Sequence, residues 1–263
     1  MKKETLTLKN AVIDIYNYGS IKLHVFFTND PLADVAYIAE SENALVGIEL
    51  PAFTAGLEAW KAYVKSLGKP MDDIFIVCHP AGASYIKGLK VYGTAGAQKS
   101  IKSGSTASTT QGLFKAFGPD FHGGDDTAEI NTVISGKITV GGIDFEVISR
   151  GEIYDLAIPS INAVYTHMLG KTTHSILTSA EHIGAFLQML KEYQAAGYGM
   201  ILTSHGGPEG QDAIAGKIAY LNKTKEILAS SKNADDFKAS MQAAFPNYGG
   251  GNYLDMTASF LFK

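Results

Sequence analysis

Cys78 is the only cysteine in 263 residues, so no intrachain disulfide can form. A lone thiol in a chain this long points to a reducing compartment and to a fold held by its core, not by cross-links. Charged residues make up only 18%, and the basic ones are scattered along a chain of net charge −4. That leaves no electrostatic footprint for nucleic acid or for an anionic membrane. No run approaches the roughly 20 apolar residues that a membrane-crossing helix needs. Lys2 and Lys3 precede no apolar stretch, so the N-terminus does not read as a signal peptide. These absences set the expectation of a cytoplasmic protein with no nucleic-acid or membrane partner. The sequence sets no oligomeric state.

What the chain does have is apolar residues, 46% of the total, enough to bury a substantial core in one domain spanning 1–263. Short β-rich runs at 5–9, 11–16, 22–27, 35–39 and 44–48 are separated by Asn, Gly, Asp and Ser. Leu57, Trp60, Val64 and Leu67 repeat on one face and predict a helix over 51–67, with Gly68 as its stop. The apolar run 74–78 has strand length. Residues 99–112 are rich in Ser, Thr and Gly without apolar periodicity, which predicts a flexible loop. Gly141-Gly142 between two β-rich runs predicts a hairpin. Strands are expected at 154–158, 161–166 and 200–203. Thr178 and Glu181 form a capping-box pattern ahead of Ile183, Leu187 and Leu190. Two helices, near 209–230 and 234–244, are expected to close the chain, the second capped by Asn233.

The chemistry-bearing residues are sparse. Cys78 and His79 are adjacent, which suggests a thiol–imidazole pair, but neighbours on a strand point to opposite faces and would not meet. Ser84 lies close to His79, yet no G-x-S-x-G elbow accompanies it. His174 reads either as a pocket-lining group or as an ordinary loop histidine, and His182 as a solvated residue in the first turn of a helix. Asp155 reads as a strand-edge acid.

Residues 76–84, Ile-Val-Cys-His-Pro-Ala-Gly-Ala-Ser, form an apolar run opening into a loop at His79. This resembles the main metal signature of the metallo-β-lactamase superfamily, His-x-His-x-Asp-His at the end of a strand. Only the first histidine is present here; Ala81, Ala83 and Ser84 stand at the other three positions. The stretch 158–167 resembles the family segment leading to the metal-bridging aspartate, which falls at His167 or Met168. The helix expected at 179–196, the strand at 200–203 and Ser204-His205-Gly206-Gly207-Pro208 resemble the late helix, strand and final His-Gly. The resemblance runs from about residue 22 to the C-terminus. It implies an α/β fold, specifically a four-layer αββα sandwich with the site at one edge between two sheets. It also places the middle histidine of the family near Gly151-Glu152, where Glu152 is the nearest donor, and makes Asp155 a residue that supports the metal loop.

Carried over in this way, the family's two-metal centre lacks most of its ligands, so no ordinary dinuclear cofactor is expected. Two readings of the cleft follow. In the first, the protein is non-hydrolytic and uses the old cleft, with His79, Ser84, Glu152, Asp155, His167, His174 and His205 as candidates, to bind a small molecule or partner. In the second, His79, Glu152, His167 and His205 hold one zinc or iron ion in a divergent hydrolase. A third, metal-free reading uses the histidines as general acid and base.

Overall fold

The first fifty positions form an antiparallel meander that is exposed along its first strand and buried on both faces by its fourth and fifth. The structure, a computed structural model, describes residues 2–262. Strands β1 (Lys2–Thr7), β2 (Ala11–Asn17), β3 (Lys22–Thr28), β4 (Val35–Glu40) and β5 (Leu45–Ile48) pair in sequence order, each antiparallel to the last. Helix α1 (Thr54–Ser66) follows, burying Leu57, Trp60 and Tyr63 on one face. Its crossover reverses the pairing rule: β6 (Met71–Phe75), β7 (Lys90–Gly93) and β8 (Thr132–Val133) join in parallel and complete an eight-stranded sheet. Parallel strands require such crossovers.

Between β7 and β8 lie α2 (Ala95–Ser103) and α3 (Ser105–Phe117). The flexible loop expected over 99–112 is therefore helical. Apolar periodicity misses it because three of its four buried positions are hydroxyls, Ser100, Thr106 and Thr110, and only Ile101 is apolar. The Ser100 hydroxyl donates to Thr106 Oγ1 at 2.8 Å, and Thr110 Oγ1 donates to the Thr106 carbonyl at 2.7 Å. Thr94 caps α2 by accepting from Ala97 N.

The second sheet contains β9 (Gly136–Val140), β10 (Ile143–Ser149), β11 (Tyr154–Ile158), β12 (Ala163–Thr166) and β13 (Met200–Thr203), ordered β13-β12-β11-β10-β9. The expected hairpin is present, with both Gly141 and Gly142 at positive φ, as a tight two-residue turn demands. The inner faces of the two sheets interlock. Phe75 of β6 meets Phe145 of β10 at 4.7 Å between ring centroids, and Tyr154 of β11 donates to the Ile76 carbonyl at 3.1 Å.

Two compact units emerge, one of Met1–Met168 with Leu202–Pro208, the other of Leu169–Ile201 with Glu209–Lys263. The second contains α4 (Ala180–Ala196), α5 (Gln211–Ser230), α6 (Ala234–Ala244) and α7 (Gly251–Leu261). Ser179, one residue beyond the expected Thr178, is the N-cap of α4 and accepts from His182 N. Asn233 caps α6 as expected. Helix α7 has no counterpart among the sequence-based expectations. Within this unit His174 is buried: its Nδ1 lies 3.1 Å from the Tyr220 hydroxyl, and its ring packs on Tyr220 and Tyr248. No helix among the described residues is long and apolar enough to cross a membrane.

Candidate metal centre

The first unit brings three histidines together from distant parts of the chain. His79 follows β6, His167 follows β12 and His205 follows β13. Their ring centroids are 5.3 Å (79–167), 4.9 Å (79–205) and 5.3 Å (167–205) apart. His79 Nε2 and His167 Nε2 stand 3.3 Å from each other.

The loop bearing His79 is held by a residue that the sequence reading does not single out. Glu49 sits at φ 60° directly after β5, fully buried. Its carboxylate accepts the backbone N–H groups of Val77 (3.1 Å), Cys78 (2.8 Å) and His79 (3.2 Å), and the Tyr165 hydroxyl at 3.0 Å. Burial pushes the Glu49 carboxyl upward against the pull of those donors. A sequence signal exists: Glu49 is the lone charge between Glu42 and Glu58 in an otherwise neutral stretch.

Three consecutive N–H groups can face one carboxylate only because β6 ends at Phe75 and the chain then bends. Strand alternation therefore does not govern Cys78 and His79, contrary to expectation. Cys78 Sγ falls in one donor group with the ring nitrogens of His79 and His167, all within 4.8 Å of one another. The thiol is pushed well above its ordinary range by burial and by the Glu49 charge.

His205 has a different partner. Its Nδ1 is 3.0 Å from the Leu32 carbonyl and 3.2 Å from Asp34 Oδ1. The Nδ1 proton points at Leu32, and neither Asp34 oxygen has a hydrogen bond although the residue is only 2% exposed. Asp34, His79 and His205 form a second donor group, which shares His79 with the first. Burial raises the Asp34 carboxyl. Burial alone would lower His205, but Asp34 outweighs it and its pKa rises. The other two rings stay neutral: burial, then the neighbouring His205, lowers His167 to about 4 and His79 well below its usual range. Nothing in a single sequence marks Asp34 as a site residue; it lies in the turn that leads into β4.

The remaining sequence candidates lie elsewhere. Glu152 accepts from Ser105 N at 3.1 Å and from the Ser100 and Ser105 hydroxyls, fastening α3, and enters neither donor group. Asp155 pairs with Arg150 Nε at 2.5 Å. Ser84 is exposed and bonds Asp126 through both N and Oγ. His174 belongs to the second unit. Ala81 is packed with Ala52, Phe53 and Phe121 in an apolar cluster.

The donors fit one metal ion better than two. Two imidazole nitrogens on a tetrahedral zinc at about 2.0–2.1 Å stand about 3.4 Å apart, close to the observed His79–His167 spacing. Neutral rings are what coordination requires. A buried carboxylate without a hydrogen bond, beside His205, also suits a cation. Ala81, at the position of the motif's second histidine, offers no donor and packs with Phe53 and Phe121.

A two-sheet α/β fold with histidines gathered at the ends of β6, β12 and β13 defines a class of scaffold, and comparison with solved structures names it. The chain has the metallo-β-lactamase fold. A metallo-β-lactamase family protein from Thermus thermophilus matches with TM-score 0.61 and 14% identity, over 92% of this chain and 91% of that one. An inverting sec-alkylsulfatase from a Pseudomonas species matches at 0.58 and 16%, over 90% of this chain and 48% of the sulfatase. A metallo-β-lactamase from Erythrobacter litoralis matches at 0.53 and 11%, over 83% and 99%. No family profile and no curated protein sequence matches the chain.

Proposed function

We propose that the protein is a metal-dependent hydrolase built around a single ion held by His79 and His167, with Cys78 as a third donor and His205 beside it. The observation that carries this reading is the 3.3 Å separation of the His79 and His167 Nε2 atoms. Two neutral imidazoles and a sulfur form a soft-to-borderline donor set, which suits zinc. Zinc, when bound, supplies Lewis acidity and brings the pKa of water toward 7. The chain's own groups do the positioning. Glu49 fixes the loop of His79, the Leu32 carbonyl orients the His205 ring by accepting its Nδ1 proton, and Asp34 favours the protonated form of that ring. A protonated His205 offers a proton donor at the edge of the centre. Outside this set, Glu152 is committed to α3, so the four-residue reading with Glu152 is replaced by one with Cys78.

Cobalt substitution tests the assignment. The protein loaded with Co²⁺ is expected to show a thiolate-to-metal absorption band that disappears in Cys78→Ser, while His167→Ala lowers affinity at least about tenfold. A cobalt spectrum unchanged by Cys78→Ser removes the thiol from the set. A second reading, a non-hydrolytic binding protein, is favoured by one observation: Ala81, at the position of the motif's second histidine, is part of an apolar cluster with Phe53 and Phe121 and offers no donor. Absence of cobalt binding altogether would support it.

A further inference from the structure

A second constellation lies in the first unit, outside the histidine–cysteine centre. Thr54 opens α1, half-buried, and its Oγ1 is 3.0 Å from His122 Nε2. His122 Nδ1 is 2.9 Å from Asp126 Oδ2. Asp126 is itself held by Ser84, whose N and Oγ each donate to it at 2.7 Å. With the Nδ1 proton given to Asp126, Nε2 keeps its lone pair and accepts the Thr54 hydroxyl. The competing acceptor for that hydroxyl, the Asp120 carbonyl, is farther away at 3.4 Å. Tyr85 packs edge-on against His122 at 5.7 Å and fixes the ring plane.

Residues 52–56 read Ala-Phe-Thr-Ala-Gly, small residues two positions either side of a hydroxyl at the start of α1. The spacing matches a nucleophile elbow, with Ala and Thr in place of Gly and Ser, without the elbow's strained backbone, since Thr54 is not at positive φ. The closeness is real at Gly56, where a Cβ would come 2.9 Å from Pro51. Phe53, the N-cap, has no side chain able to accept from the first-turn N–H groups. Beside His122 a groove of about 480 Å³ runs along α1, lined by Glu58, Lys61, Lys65, Ser84, Tyr85 and His122.

We infer that Thr54, His122 and Asp126 form a hydroxyl–imidazole–carboxylate relay that cleaves short-chain carboxylic esters, independently of any metal. Thr54 Oγ bonds to the ester carbonyl carbon as its proton passes to His122 Nε2. The tetrahedral adduct expels the alkoxide, which takes that proton and leaves as the alcohol. Water then attacks the acyl-threonine, giving one proton to His122, which returns it to Thr54 Oγ as the acid departs.

The test uses p-nitrophenyl acetate and the full chain, with and without chelator. The expected result is hydrolysis that survives the chelator, is retained by Thr54→Ser, is abolished by Thr54→Val and falls at least ~100-fold in His122→Ala. Mass spectrometry of the quenched reaction places an acetyl group on the Thr54 peptide. Hydrolysis equal in wild type and Thr54→Val, acetylation at another residue, or activity that vanishes with the chelator overturns the relay. The last result assigns any esterase activity to the metal centre and leaves that centre's own reading intact.

Discussion

Glu49 shows how one buried carboxylate can organise a site. It is the common acceptor for three successive N–H groups and a tyrosine hydroxyl, so Glu49→Ala strands several donors in the core. A loss of about 3 kcal/mol or more is expected in urea unfolding, with metal affinity falling about 10–100-fold. Unchanged stability would mean that water replaces the carboxylate. His79, His167 and His205 are legible in the sequence because they fall at or beside positions of a resembled motif. Asp34 is not, since its role comes only from the turn that brings it to His205. Cys78 escapes the alternation rule because the strand ends three residues before it.

His24 supplies a pH prediction at the same scale. Its ring is buried between the Tyr63 hydroxyl (2.7 Å) and Glu40 (2.8 Å). Burial lowers His24 from its ordinary 6.5. Burial alone would raise Glu40, but Lys69 and His24 outweigh it and carry the carboxyl below its ordinary 4.5. Both groups bind fewer protons folded than unfolded, so their stabilisation is present at higher pH and lost on acidification. The His24 part fades as pH falls below 6.5, the Glu40 part below 4.5. In chemical denaturation from pH 7 to 5, His24→Gln is expected to lose less stability than wild type; an equal or steeper loss contradicts the assignment.

At the level of elements, the clearest lesson is α2 and α3. Periodicity finds helices through apolar faces, and these two bury hydroxyls whose partners lie within the pair or on Glu152. Most strands, α1, α4, α5 and α6 are legible because their cores are apolar or their caps are strong. Strands β7 and β8, four and two residues long, have no counterpart among the sequence-based expectations, and β6 begins three residues before the run read as a strand. The α2 contact is also unusually close: a Cβ on Gly96 would lie 1.8 Å from the Gly151 carbonyl oxygen. Backbone cannot yield as a flexible side chain can. Gly96→Ala is therefore expected to cost about 2–3 kcal/mol in urea unfolding at an unchanged m-value. A neutral substitution would show that this contact relaxes freely.

Across the whole molecule, the order of strands and helices is compatible with the fold and the resembled motifs around His79, His167 and His205 point to it, while identities of 11–16% show how little of it rests on particular residues. Function cannot be carried over with the fold. It rests on what the first unit gathers: two neutral imidazoles at coordinating distance, a thiol, and a third histidine backed by Asp34. The most direct test is the number of zinc ions retained per chain after reconstitution and exhaustive dialysis. The account predicts one, lost in both His79→Ala and His167→Ala. Retention of two, or of none in a folded wild-type protein, would contradict it.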